Sequence, residues 1–284
     1  MTLAHEAIPN ELVIPSVDSN LFSGHEESRF ALGIVAIGDE IVPGRKNEAH
    51  AYGLLRGNVY ARQQRYMSED ELQADGTEWD KDDSRSVHFA AFENTGEDVR
   101  AIGSMRLVVK ANRIARAPMF DELMRKITGY SLPSPHEIGT EEPLPIETHY
   151  PDAFPNGPAP RPSVEASRLI SRHEDNRTQR TVNWMLLGGV ASYILAKELG
   201  DCYGVVKPSL SRSFRIGGMP ATELGEAEFI PEYNSSKMPI QIDIPRFVER
   251  LQDTQPDVLT LGTANSFVYS GVSPTGRPEL PRAA

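Results

Sequence analysis

The spacing of hydrophobic residues along the chain changes repeatedly between the period of an α-helix and that of a β-strand. Within 47–65, for example, Tyr52, Leu55 and Val59 recur at helical spacing and form one apolar stripe. In chain order the pattern predicts a strand within 29–42, a helix over 47–65, a hairpin of strands 87–93 and 99–110, a short helix over 119–128, a strand at 164–171, a long helix over 181–200, a strand at 202–207, a short helix over 209–216 and a strand at 238–244.

The ends of two of these elements can also be predicted. The long segment 181–200 is apolar on almost every side, so we expect a mostly buried helix, with Thr178 as its N-cap and Gly200 marking its end. Residues 238–244 alternate between apolar and polar, which places Ile244 on the apolar face of the last strand.

The order of elements predicts an α/β fold with a mixed, largely antiparallel central sheet flanked by helices. It lacks the repeated βαβ units and the glycine fingerprint of a Rossmann domain. Residues 118–162 hold 10 of the 22 prolines and predict an irregular surface excursion. We expect an N-terminal arm (1–28), one domain (29–254) and a flexible C-terminal tail (255–284).

Composition restricts the function further. The net charge of −11 argues against a protein that coats nucleic acid, and a single cysteine, Cys202, excludes an internal disulfide framework. The first residues lack the pattern of a secretory signal, and no apolar run approaches the ~20 residues of a membrane span. The sequence therefore predicts a soluble cytoplasmic protein.

Common catalytic and metal-binding motifs are absent, since there is no P-loop, no G-x-S-x-G, no H-E-x-x-H and no C-x-x-C. No metal site is expected from the dispersed histidines. Charged residues do occur inside or beside predicted strands, which is expensive unless they are paired. These residues are Arg106, Glu165 and Arg168 in strands and Asp80 and Asp83 in the loop before the hairpin.

Glu165 and Arg168 lie three positions apart and would point to opposite faces of a regular strand. A β-bulge between them would bring both side chains to one cleft, and bulges are common beside active sites. Two interpretations stay open at this point. The charged residues form either a structural network of ion pairs or the polar part of a reactive centre.

Taken in order, R56-x-x-x-Y60, Y66, E78-x-D80-x-x-D83, G103-S-M-R106-L and E165-x-S-R168 resemble the motifs of the acyl-homoserine-lactone synthases. A later segment, 211–220, resembles the family's R-x-G-W-P region. Tyr60, Tyr66 and Met219 stand where that family has Phe, Trp and Trp. The proline-rich insertion is more similar to that of the related long-chain N-acyl amino acid synthases.

The resemblance implies the Gcn5-related N-acyltransferase fold and transfer of an acyl chain from a thioester to an amine. It implies that Glu165 is the general base and that Arg168 acts beside it in a charged network. The acceptor would be bound by that network and by the first helix, through Arg56, Tyr60, Tyr66, Asp80, Asp83 and Arg106. The fatty chain would lie near Trp184 and Leu186.

For the acyl donor, the resemblance points to 171–181, where a phosphopantetheine thioester would dock at a helix N-terminus. Arg172, Arg177 and Arg180 are the candidate donor-binding residues, and they suit an acidic acyl carrier protein. Arginine replaces glycine in the pattern expected of coenzyme A users, R177-T-Q-R180-T-V. This favours a carrier-protein donor over an acyl-CoA donor, with no bound cofactor.

The sequence therefore predicts an N-acyltransferase that moves a medium or long acyl chain from acyl carrier protein to an amino acid. The nearest alternative is an acyl-homoserine-lactone synthase that uses S-adenosylmethionine. A non-catalytic sensor of the same fold and an ordinary acetyl-CoA-dependent acetyltransferase are more distant alternatives. We expect no nucleic-acid partner.

Overall fold

A computed structural model describes residues 13–15, 29–111 and 134–254. Within these residues a ten-stranded sheet is covered by helices on both faces. The strands are β1 (Val13–Pro15), β2 (Phe30–Ile37), β3 (Glu40–Ile41), β4 (Ser86–Asn94), β5 (Asp98–Lys110), β6 (Ser163–Ser171), β7 (Asp201–Val206), β8 (Ala221–Glu223), β9 (Glu228–Ile230) and β10 (Ser235–Ile242). The helices are α1 (Lys46–Gly57), α2 (Pro135–Ile138), α3 (Pro145–His149), α4 (Asn176–Ala196), α5 (Pro208–Gly217) and α6 (Ile244–Thr254).

The sheet has the order β3-β2-β4-β5-β6-β7-β10-β8, with β1 paired to β5 and β9 paired to β10. Among the described strands, β6 and β7 are parallel and every other neighbouring pair is antiparallel. The predicted fold class, a mixed and largely antiparallel sheet flanked by helices, is confirmed.

The parallel strands β6 and β7 part in the middle of the sheet. Their pairing runs from Ser163–Asp201 to Ala166–Gly204 and then stops, although both strands continue beyond it. Backbone groups of the two strands therefore face each other across a cleft instead of closing a ladder. We call this opening the strand cleft.

Each face of the sheet carries its own apolar core. On one face α4 and α6 bury Val182, Leu186 and Phe247 against the strands. On the other face α1 buries Tyr52 and Leu55. Full burial of a side chain of this size stabilises the fold by about 1.5–3 kcal/mol, so these two layers hold the sheet and its cleft in place.

The first predicted helix is found, but its last turns have unusual geometry. α1 ends at Gly57 and continues as a π-helix over Asn58–Gln63. This widened turn contains Tyr60, whose ring contacts Arg168 of β6. Such π-turns are rare and are often found beside functional sites.

Three predicted boundaries are wrong. The long helix is capped by Asp175, whose carboxylate accepts from the backbone N–H groups of Arg177 and Thr178, so Thr178 is not the cap. This helix ends at Ala196 and not at Gly200. The last strand stops at Ile242, and Ile244 begins α6, whose apolar positions follow helical spacing.

The described part of the proline-rich excursion is more ordered than the sequence predicts. It contains α2 and α3 and buries Leu144, Ile146 and Tyr150 in a third apolar cluster against the sheet. The predicted helix over 119–128 and the tail 255–284 lie outside the described residues. So does most of the arm 1–28, apart from the short strand β1, and the predicted domain boundaries stay predictions.

Candidate active site

Strand β6 contains the predicted bulge, and it turns Arg168 toward the face covered by α1. Arg106 of β5 pairs with Ser167, whereas Ser104 pairs with Ile170, so β6 has one more residue than β5 between these pairs. Arg168 adopts a left-handed backbone conformation with φ of 57°. A non-glycine residue is held there at some energetic cost. The bulge and this backbone conformation together determine the direction of the Arg168 side chain.

Three arginines and three carboxylates form a closed ring of alternating charges on this face. Each member contacts two groups of opposite sign, so the ring as a whole is neutral. The contacts around the ring are Arg56–Asp83 (2.9 Å), Asp83–Arg106 (3.0 Å), Arg106–Asp80 (2.5 Å), Asp80–Arg168 (2.8 Å), Arg168–Glu78 (3.3 Å) and Glu78–Arg56. We call this arrangement the charge ring.

The charge ring is stable because its members satisfy one another away from water. The side chains of Arg56 and Glu78 are 0% and 1% exposed. Burial alone would raise the pKa of Asp83, but Arg56 and Arg106 outweigh burial and hold that pKa well below its ordinary value. Asp83 is thus ionised, as a buried ion-pair network requires. One oxygen of Glu78, Oε1, has no hydrogen-bond partner, which makes the link to Arg168 the loosest.

A neutral histidine supports the ring from the sheet side. His88 Nε2 lies 3.2 Å from the backbone oxygen of Asp83, and Nδ1 lies 3.0 Å from the hydroxyl of Tyr52. A carbonyl can only accept, so the proton is on Nε2 and Nδ1 accepts from the tyrosine. Burial lowers the pKa of His88 to about 4, and the ring therefore gains no additional charge from it.

The loop before β4 that carries Glu78, Asp80 and Asp83, which we call the acidic loop, completes the ring because two glycines of α1 allow it to approach closely. The backbone N–H of Glu78 donates to the backbone oxygen of Gly53 (3.1 Å). A Cβ atom at Gly57 would lie 2.3 Å from the backbone oxygen of Gly76, and one at Gly53 would lie 2.9 Å from Thr77. Helix and loop therefore meet backbone to backbone.

Glu165 lies on the same face of β6 as Arg168, one residue before Ala166, where the pairing with β7 ends and the strand cleft begins. It is 3% exposed, and its Oε2 accepts from the backbone N–H of Ile146 of α3 (2.6 Å). Burial raises the pKa of Glu165 to about 7, against the opposing effects of this hydrogen bond and of Arg106. A carboxyl group with a pKa near neutrality can both take up and release a proton.

Glu165 and the charge ring border the same site. Arg106, a member of the ring, acts electrostatically on Glu165. Burial raises the pKa of Tyr233, Arg168 lowers it and Glu165 raises it, so Tyr233 lies within electrostatic reach of both residues. The predicted base and the predicted network are therefore brought together by the fold, with Tyr233 beside them.

Aromatic side chains line the edge of the ring next to Arg168. The rings of Tyr60 and Tyr66 stack at 6.1 Å, and Tyr233 meets Tyr66 edge-on at 5.8 Å. The guanidinium carbon of Arg168 lies 4.6 Å from the centre of the Tyr60 ring. Of the predicted acceptor-binding residues, Tyr60 and Tyr66 thus lie at this edge, whereas Arg56 is enclosed within the charge ring.

The predicted donor-binding arginines occupy different positions. Arg172 Nη1 donates to the side chain of Asn58 (2.9 Å), while Arg177 and Arg180 are exposed on the first turns of α4. Asp175 accepts from two of the backbone N–H groups at this helix N-terminus, those of Arg177 and Thr178.

Apolar side chains that are partly exposed surround the strand cleft on its other face. Ala166 and Leu169 of β6 and Val206 of β7 pack against the main core without being enclosed by it. Trp184 of α4, predicted to lie near the fatty chain, is also partly buried, and its ring packs against Phe247 of α6. Leu186 is instead fully buried beneath the sheet, where it packs close to Gly103.

Several residues of the site are missing from the candidates that the sequence provides. Glu78 is part of the quoted motif and completes the ring, so its spacing to Asp80 and Asp83 was a usable signal. Tyr233 follows the last short strand and reaches the site only through the fold. His88 alternates correctly for its face of the hairpin, but a lone histidine in a strand gives no signal of its own.

Over the described ranges, no group of His, Cys, Asp and Glu side chains is arranged to bind a metal ion. In the same part of the chain, none of the helices combines the length and apolar character needed to cross a bilayer.

Comparison with solved structures places the fold among the acyl-homoserine lactone synthases. TofI, solved in a ternary complex with an inhibitor and MTA, matches with a TM-score of 0.52 and 17% identity, over 81% of this chain and 99% of that chain. The acyl-homoserine lactone synthase LasI matches with a TM-score of 0.50 and 12% identity, over 76% and 91% of the two chains. At these identities the likeness shows the fold.

A looser similarity is found to FeeM, an N-acyl amino acid synthase from uncultured soil microbes. Its TM-score is 0.44 at 12% identity, over 80% of this chain and 100% of that chain. No protein-family model and no curated protein matches the chain. The predicted resemblance to the acyl-homoserine-lactone synthases is therefore confirmed at the level of the fold by TofI and LasI.

Proposed function

We propose that this protein is an N-acyltransferase that moves a medium or long acyl chain from an acyl carrier protein thioester to the amine of an amino acid. The observation that carries the proposal is Glu165. It is a buried carboxyl group with a pKa of about 7 beside a neutral ring of ion pairs and an open strand cleft. A binding protein has no need of a proton acceptor tuned in this way.

The chemistry requires one proton acceptor and a place for one carbonyl group. The amine nitrogen attacks the thioester carbon, the C–N bond forms and the C–S bond breaks. Glu165 accepts the proton that the amine loses, directly or through one water, and returns it to the departing sulfur. The strand cleft has backbone groups outside the ladder that can face the carbonyl oxygen.

The charge ring acts by position. Arg168 is the member that reaches the aromatic edge, and it is held there by Asp80 and by the bulge of β6. Because the ring is neutral, it fixes several side chains without placing a net charge beside the reacting amine. We assign Arg168 a positioning role and Tyr60 and Tyr66 a role in binding the acceptor.

Two observations favour a carrier-protein donor. Asp175 occupies backbone donors of α4 that a coenzyme A pyrophosphate would need, and Arg177 and Arg180 are exposed beside it. A phosphopantetheine arm with one phosphate makes a smaller demand on this helix end than a pyrophosphate does. Exposed arginines also complement an acidic protein partner.

The nearest alternative is an acyl-homoserine-lactone synthase. The structural likeness to TofI and LasI supports this alternative. Both candidates share the acyl-transfer step and differ in the acceptor. The identity of the acylated product therefore decides between the two candidates.

The test is a mass-spectrometric product screen. Purified protein is mixed with acyl carrier proteins that bear C8 to C18 chains, a pool of amino acids and S-adenosylmethionine. We expect an N-acyl amino acid from the wild type and from Glu141→Gln, whose side chain is 72% exposed, but not from Glu165→Gln. An acyl-homoserine lactone would establish the alternative, and no acyl product from folded protein would overturn the enzyme proposal.

A further inference from the structure

Two lysines at the end of the strand cleft lie on the same face of the sheet as Glu165. Lys207 follows the last residue of β7, and Lys237 belongs to β10. The pairing of these strands ends at Val206–Met238, and one step further the same register places Lys207 opposite Lys237. Two positive charges therefore meet at the position where β6 and β7 have parted.

Both lysines converge on Tyr66, one of the proposed acceptor-binding residues. Their ammonium nitrogens lie 5.8 Å (Lys207) and 5.2 Å (Lys237) from the centre of the Tyr66 ring. Lys237 is also 5.2 Å from the ring of Tyr233. The aromatic faces that could bind a cationic ligand are thus already occupied by a cation from the protein itself.

The hydroxyl of Tyr66 interacts with both ammonium groups, but no carboxylate of the described residues balances their positive charge. Neither lysine forms an ion pair with a carboxylate of the described residues, and the carboxylates of the charge ring are already shared among three arginines. Glu228, the register partner of Lys237 on β9, is exposed and within the described structure forms no ion pair with Lys237. Burial lowers the pKa of Lys237; Tyr66 opposes this effect, whereas Lys207 and Arg168 add to it.

We infer that Lys207 and Lys237 form an anion subsite that binds the carboxylate of the acceptor and of the acylated product. The inference rests on the proposed function and specifies its acceptor, because it assigns the site to a molecule whose acylated form is an anion. S-adenosylmethionine also carries a carboxylate, but its sulfonium would bring a further cation to rings that Lys237 already covers. An amino acid acceptor without a sulfonium brings the carboxylate alone, which relieves the repulsion between the two lysines.

Binding of a product-like anion provides a test that does not depend on turnover. The probes are N-dodecanoylglycine and its methyl ester, which differ by one negative charge and share the acyl chain. Their dissociation constants are measured by isothermal titration calorimetry at pH 8 and below the micelle concentration. The ratio of the two constants isolates the contribution of the carboxylate.

We expect the acid to bind the wild type at least about tenfold more tightly than the ester, as for one charge-assisted interaction. In the Lys207→Met/Lys237→Met double variant the ratio should fall to about one. Lys46→Met is the matched control, since this exposed lysine begins α1, at the end of the helix away from Tyr60. Lys237→Arg keeps the charge and should keep the preference for the acid.

An unchanged ratio in the double variant, or equal binding of acid and ester by the wild type, would overturn the anion subsite and leave acyl transfer intact. Failure of both probes to bind any folded form would count against the proposed function itself and therefore also against the subsite. If the double variant does not fold, each single variant is measured instead. The ratio should then fall in each of them, and an undiminished ratio in both would overturn the subsite.

Discussion

At the scale of single residues, the stability of the fold and the proposed catalytic role of Glu165 have opposite requirements. Its pKa is raised from 4.5 to about 7 because the buried carboxylate is poorly solvated. Between these values the unfolded chain has lost the proton while the folded protein still holds it. The free energy of unfolding therefore decreases as the pH rises from 4.5 to 7. It is lowest above pH 7, where the carboxylate is charged in both the folded and the unfolded state.

We predict that Glu165→Gln becomes more stable relative to the wild type as the pH rises from 4.5 through 7. The shift corresponds to a gain of about 3 kcal/mol over that interval, since one pKa unit is about 1.4 kcal/mol. Urea unfolding at a series of pH values from 4 to 8 measures this difference. A difference that stays constant with pH would show that the pKa of Glu165 is not raised.

The same carboxyl group should determine the pH dependence of acyl transfer. As a general base it works only when ionised, so kcat/KM at limiting acceptor is expected to rise with pH and level off above a pKa of about 7. Tyr60→Phe keeps Glu165 and serves as the control. Its profile should level off at the same pH as that of the wild type, even if its overall rate is lower. A profile that is flat from pH 5 to 8 would contradict the role of Glu165.

Arg168 should be needed for both stability and activity. Arg168→Ala removes one charge from the ring and leaves Asp80 and Glu78 each short of one partner, which we expect to cost about 1–3 kcal/mol. Arg161→Ala, which removes a mostly exposed ion pair with Glu141, should cost less than about 1 kcal/mol. Thermal unfolding and product formation are measured for both. A wild-type midpoint and wild-type turnover for Arg168→Ala would exclude the positioning role.

At the scale of elements, the acidic loop depends on α1 for its position. It carries all three carboxylates of the ring, and its contact with the helix is made by glycines that allow the backbones to touch. The helix thus contributes an arginine to the ring and also sets the distance at which the loop can reach that arginine.

We predict that Gly57→Ala destabilises the protein by about 1–3 kcal/mol, the usual range for overpacking, because its Cβ would lie 2.3 Å from the backbone oxygen of Gly76. The loop must move away, and activity should fall with it. Gly225→Ala is the control, since its Cβ would make an ordinary contact of 3.5 Å with Pro239. Equal unfolding midpoints for the two variants would disprove this account of the loop.

Sequence patterns predicted most of the elements correctly, and the failures have physical causes. The hairpin and the strand that carries Glu165 were found from their composition and alternation. The end of the long helix was missed because Gly200 follows several residues after the helix has already ended. The last helix was missed because Ile244 continues the alternation of the preceding strand by coincidence.

At the scale of the whole molecule, the charge ring joins parts of the chain that are far apart in sequence. Arg56, Arg106 and Arg168 come from three different elements, and they meet only when the sheet has formed. The sequence could therefore indicate that these charged residues belong together, through their order and types. It could not show that they close into a ring, which depends on the bulge in β6 and on the approach of loop and helix.

A ring also responds to substitution differently from a set of separate pairs. Arg106→Met alone leaves a net negative charge, whereas Arg106→Met with Asp80→Asn leaves four alternating charges that sum to zero. We predict that the double variant loses less stability than the two single variants together, by about 1 kcal/mol or more. A double-mutant cycle by urea unfolding measures this, and strict additivity would mean that the contacts act independently.

The strand cleft has a consequence for how such a protein can change over generations. Its edges are main-chain groups, and point mutations replace side chains while leaving the main chain in place. A lineage can therefore exchange the residues at the rim, such as Lys207 or Lys237, and acquire a different substrate without rebuilding the opening. Diversity in what is joined would then arise at the rim, while the manner of joining is inherited with the backbone.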